Sequence, residues 1–173
     1  MSQRPPRRVD PDVDLRVPAD RAELTARPAA VLGVIAAGGV LGAFARAGVQ
    51  TALPYAPTGF PWSTFAVNVT GCLLIGALMA VLGRRRVGPL VRPFLGVGVL
   101  GGFTTFSAYV VDVHRALAAG AAATALGYLA ATLVGGLLAV AAGDALATRL
   151  LDRGSGWPGR STASDRTAGG DAR

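Results

Sequence analysis

Four largely apolar runs organise this chain, at residues 29–51, 61–83, 90–113 and 117–147. Each is close to or above the roughly 20 residues needed to cross a bilayer. A soluble helical bundle would show a polar face along each run, and none does. The pattern predicts an all-α membrane protein of four transmembrane helices. The last run is longer than a bilayer requires, so part of it tilts or projects into water. The connections between runs are short, which predicts an antiparallel bundle with both termini on one side.

The third run carries its own interruption. Residues 100–112 read LGGFTTFSAYVVD. Glycine weakens a helix, and threonine offers its hydroxyl to nearby carbonyls. The helix is therefore expected to break between Gly101 and Thr105. Backbone at membrane depth leaves helical geometry only where protein buries it or where it lines a polar cavity. The break marks the candidate ion site.

Composition sharpens this picture in three ways. The chain has 173 residues, enough for one domain. Its net charge of +7 comes from arginine alone. The arginines stand in tails and loops beside the apolar runs, so membrane topology explains them better than nucleic-acid binding. The flanks, 1–28 and 149–173, are rich in charged, Gly, Pro and Ser residues and read as disordered tails around a 29–148 membrane domain. The N-terminal flank lacks the apolar core of a signal peptide. Arg84, Arg85 and Arg86 share a face with both tails, so both termini are expected in the cytoplasm of a plasma-membrane protein. The third connection is expected around His114 and Arg115.

Few polar residues lie within the runs. Arg46 costs about 2.5–3.5 kcal/mol at bilayer depth and is expected either to snorkel or to face protein at an ion mouth. Asn68 sits mid-span, on one helix face with Thr64 and Gly71. It makes either an interhelical hydrogen bond or a pore wall. Phe106 and Tyr109 stack on one face if helix resumes after the break, presenting ring edges of partial positive charge. Ser107 either caps the resumed helix or lends a hydroxyl to the path. Tyr128 and Thr132, spaced i, i+4, make a polar strip on the fourth run. Gly38 with Gly42, and Gly98 with Gly102, form GxxxG pairs suited to close helix packing. Asp112 and Asp144 are expected toward helix ends, leaving no carboxylate at depth. That argues against proton-coupled exchange. No Walker motif, metal-ligand cluster or nucleophile–base pairing is present, so enzyme activity is not expected.

Three segments, GGVLGAFAR at 38–46, STFAVNVTGCLLIG at 63–76 and GVLGGFTTFSAY at 98–109, resemble the CrcB/Fluc family of fluoride channels. They fall in the family's order on consecutive spans. The resemblance implies a passive fluoride channel built by two antiparallel protomers, which lets a cell lose accumulated fluoride. It implies a fluoride path along Asn68, Thr105, Phe106, Ser107, Tyr109, Tyr128 and Thr132, with Arg46 at a vestibule or in packing. It also implies a structural, non-transported sodium ion held by the Gly101 and Thr104 carbonyls. Tyr109 departs from the family's usual second phenylalanine, and Gly136 stands where a third polar residue of the fourth span is expected.

An antiparallel homodimer needs one sequence to insert both ways, and the arginine bias works against that. The partner is therefore either a second copy or an oppositely oriented paralogue. Two other readings are a small multidrug-type exporter, which needs a membrane-embedded carboxylate, and a non-transporting assembly subunit. The second leaves Asn68 and the TTF segment without a purpose.

Overall fold

The computed structural model describes residues 28–85 and 87–154. Residues 1–27 and 155–173, the bulk of both expected tails, lie outside the described residues, as does Arg86. The described chain is all helical. Helix α1 is Pro28–Ala52 and α2 is Trp62–Arg84. The third span, Pro93–Ala118, divides into α3 (Pro93–Leu100, π-helical), α4 (Gly101–Phe103) and α5 (Phe106–Ala118). Helix α6 is Ala122–Gly154. Four helices are long and apolar enough to cross a membrane, which makes this a multi-pass membrane protein.

Glycine sets how closely the helices approach. A Cβ on Gly38 would stand 2.5 Å from the Phe94 carbonyl oxygen and 3.0 Å from the Gly98 Cα. One on Gly42 would strike the Val99 carbonyl, and one on Gly102 the Gly39 carbonyl. The two GxxxG pairs thus face each other and let α1 lie directly on α3 and α4. On the other side, Gly76 meets the Val140 carbonyl and Gly143 meets that of Leu73, which seats α2 on α6.

The third span changes neighbours along its length. Its first part, α3 and α4, packs on α1, and its second part, α5, packs mainly on α6. Between them Thr104 (φ −75°, ψ 160°) and Thr105 (φ −150°, ψ 124°) are extended.

Two boundaries differ from those read in the sequence. His114 and Arg115 lie inside α5, and the chain reverses at Gly120, whose φ of 75° suits a residue without Cβ. Arg115 is exposed at the helix surface, so its charge did not require a loop. Helix α6 continues to Gly154, where Arg84 ties its end back to α2. The Arg84 guanidinium donates to the Thr148 carbonyl at 3.1 Å and lies 3.5 Å from the Asp152 carboxylate.

Candidate functional site

The site grows from two backbone groups that leave the helical ladder. In an unbroken helix the Thr105 N–H would donate to the Gly101 carbonyl. Here it donates to Asn68 Oδ1 at 2.9 Å, and Asn68 Nδ2 returns a bond of 2.9 Å to the Thr105 carbonyl. Likewise the Ala108 N–H, the helical donor for the Thr104 carbonyl, donates to Thr105 Oγ1 at 3.1 Å. Thr105 is therefore the N-cap of α5. Ser107, expected from the sequence either to cap this helix or to lend a hydroxyl to the path, instead shares a 3.3 Å contact between its hydroxyl and that of Thr105.

These exchanges strip the Gly101 and Thr104 carbonyls of their helical donors. Arg46 Nη1 reaches the Thr104 carbonyl at 3.2 Å, so this arginine faces protein and is not directed to the headgroups. A Cβ added at Gly101 would meet nothing within 4 Å, so that residue opens outward.

One face of α2 organises the third span. Thr64, Asn68 and Gly71 meet Asp112, Thr105 and Thr104 in turn. A groove of about 860 Å³ opens beside this seam. Asn68, Thr104, Thr105, Phe106, Tyr109 and Thr132 contribute to its wall. Phe106 is 77% exposed, so its ring is displayed outward, with little packing inside the protomer.

Aromatic rings lead from Phe106 inward. Phe106 and Tyr109 centroids lie 6.0 Å apart, Tyr109 and Tyr128 5.1 Å, and Tyr128 and Phe60 5.4 Å, the last pair edge to face. The Tyr109 hydroxyl donates to the Leu129 carbonyl at 3.3 Å. The tyrosine therefore offers the groove its ring while its hydroxyl is tied to α6. Tyr128 is fully buried behind it. The Thr132 hydroxyl is buried with no hydrogen-bond partner among the described residues, whereas that of Tyr128 lacks a well-aligned partner but faces the Thr64 hydroxyl and Asp112. At Gly136, one turn further, a Cβ would stand 3.3 Å from Cys72 Sγ.

Asp112 departs from expectation. It is only 4% exposed and lies within α5, where Tyr55 donates to Oδ1 at 2.5 Å and Thr64 to Oδ2 at 2.7 Å. The exposed Arg115 guanidinium stands 3.9 Å away. A carboxylate can be buried here because two hydroxyls and one cation offset its desolvation. The sequence pointed to Thr64 through its spacing from Asn68, but nothing marked Tyr55, which reaches Asp112 from the loop after α1. The Tyr55 phenol is held above its ordinary value near 10, first by burial and then by its bond to the Asp112 carboxylate.

Comparison with known proteins gives this arrangement a family. The model of the CrcB-like proteins, described also as camphor resistance (CrcB), matches residues 33–144. A Thermobifida fusca protein called fluoride-specific ion channel FluC 2 is 56% identical over 124 residues, covering 71% of this chain and 92% of that protein. A Streptomyces avermitilis protein of the same name is 49% identical over 127 residues, covering 72% and 79%. Paracoccus denitrificans FluC is 47% identical over 109 residues, covering 63% and 87%. The matched stretch runs from α1 through the Thr104–Thr105 segment to α6, and on this evidence the chain belongs to the CrcB-like family.

Proposed function

We propose that this protein is a passive, fluoride-selective channel that lets fluoride leave the cytoplasm down its electrochemical gradient. The observation that carries the reading is the buried Thr132 hydroxyl at the groove wall, which has no hydrogen-bond partner among the described residues. An unpaired buried hydroxyl costs roughly 1–3 kcal/mol, so a polar occupant is expected beside it. Fluoride is a small, strongly accepting anion. The Thr132 hydroxyl, with the ring edges of Tyr109 and Phe106 on the same groove wall, offers it partners after its water is shed. Titratable groups are not needed for such a path, which suits conduction without proton coupling.

The buried Asp112 removes one argument against an exporter, since a carboxylate does lie within the third span. The channel reading rests instead on the family and on the state of that carboxylate. Tyr55 and Thr64 each donate to one of its oxygens, which leaves little room for a carried substrate.

The working unit is an antiparallel dimer. Phe106 displays its ring outward, and a second protomer laid over this groove would cover it. A structural sodium ion at the dimer centre fits the residues present. The Gly101 and Thr104 carbonyls have lost their helical donors, and a hard cation prefers oxygen ligands. Broken-helix carbonyls are known ion ligands in membranes. Arg46 takes one lone pair of the Thr104 oxygen and leaves the other. Two carbonyls are too few for a cation's shell, so the partner supplies the rest. When bound, the ion would hold the two breaks together and would not itself be transported.

Substitution at the path tests the reading. Thr132→Val and Phe106→Ile should abolish rescue of a fluoride-sensitive bacterial strain while the dimer survives purification. Full rescue by both variants would refute the path proposed here.

A further inference from the structure

Asp112 does work that the fluoride path itself does not require, and its geometry explains what. Helix α5 carries Phe106 and Tyr109, and it meets α2 at few points. One is the Asn68 amide on the Thr105 backbone, immediately before Phe106. The other is the Thr64 hydroxyl on Asp112, two turns further along α5. The two aromatic residues lie between these attachments. Thr64 and Asn68 are one turn apart on α2, so the two bonds fix both the height and the rotation of α5 against it. Tyr55 closes the second attachment from the α1–α2 connection at 2.5 Å, and Arg115 on α5 is the nearby cation at 3.9 Å. The carboxylate is 4% exposed, so water does not compete for either hydroxyl.

We propose that Asp112 is a positioning residue, the second of two clamps that orient Phe106 and Tyr109 toward the ion path. This rests on the channel reading only for its consequence on flux; the clamp itself is a statement about α5. Thr64 and Asp112 act as one unit, with Tyr55 as support.

The test uses the full chain in lipid nanodiscs with para-fluorophenylalanine at position 106, read by fluorine NMR, alongside fluoride efflux from liposomes. Thr64→Val keeps shape and removes the hydroxyl, Thr64→Ser keeps the hydroxyl, and Asp112→Asn removes the charge. We expect Thr64→Val and Asp112→Asn to shift or split the Phe106 resonance and to slow efflux roughly tenfold, in keeping with loss of a hydrogen bond to a charged group. The dimer should remain intact, and Thr64→Ser should behave as wild type. If Asp112→Asn does not fold, Thr64→Val and Tyr55→Phe carry the same comparison. A resonance unmoved by Thr64→Val, or moved equally by Thr64→Ser, overturns the clamp. A resonance that responds in a protein passing no fluoride upholds the clamp and removes the channel reading.

Discussion

Asn68 does for Thr105 what the helix would otherwise have done, accepting from its N–H and donating to its carbonyl. Its loss leaves two backbone groups without partners, at roughly 1–3 kcal/mol each where they stay buried. Asn68→Ala should therefore lower the unfolding temperature as well as flux. Asn68→Asp keeps the acceptor but loses the donor, and should retain more stability than flux. Thermal unfolding beside efflux separates the two. Tyr55 gives a pH signature. Its phenol is raised in the folded protein, so folding favours the neutral form. The stabilisation is whole below the ordinary value of about 10 and fades as pH rises through the higher folded value. The stability advantage of wild type over Tyr55→Phe should accordingly shrink as pH rises above about 10. An advantage that stays constant above about pH 10 would mean that folding does not raise the phenol. Spacing revealed half of this chemistry. The i, i+4 relation of Thr64 to Asn68 showed in the sequence, as did that of Tyr128 to Thr132. Tyr55 did not, because a tyrosine in a proline-rich connection carries no period, and its partner lies 57 positions away.

Helix packing follows from where Cβ atoms are missing. Gly42 on α1 and Gly102 on α4 each face backbone, so any side chain there must force helices apart. Gly42→Val should abolish assembly of the folded protein. Gly33→Ala, at a position with nothing within 4 Å, should leave melting unchanged or raise it slightly. Equal behaviour of the two variants in a melting and size-exclusion comparison would contradict the packing described. These contacts were legible because GxxxG spacing records a contact face directly. The end of α5 was not. Charge at His114 and Arg115 resembled a connection, whereas the reversal depends on Gly120, a single glycine among alanines. The π-helical turns of α3 were also invisible, since apolar residues and glycine suit several helical forms equally.

At the scale of the molecule, the balance of arginine and length bears on assembly. Helix α6 has 33 residues, roughly 50 Å at 1.5 Å per residue, against a hydrocarbon core of about 30 Å. Its end therefore stands clear of the membrane, where Arg84 binds it to α2. The arginine-rich face carries Arg84, Arg85, Arg149 and Arg153, and we propose that it lies in the cytoplasm. Such a bias favours insertion in one orientation and an oppositely oriented paralogue as partner. Cysteines placed in both tails should label from the cytoplasmic side alone; equal labelling from both sides would restore the homodimer. Selective conduction of fluoride shows itself in efflux from liposomes carrying the purified chain, followed with a fluoride electrode and a chloride control. Rapid fluoride loss with negligible chloride loss is expected, from this chain alone or after adding the paralogue. Folded protein that passes neither ion under either condition, or passes both alike, would contradict it.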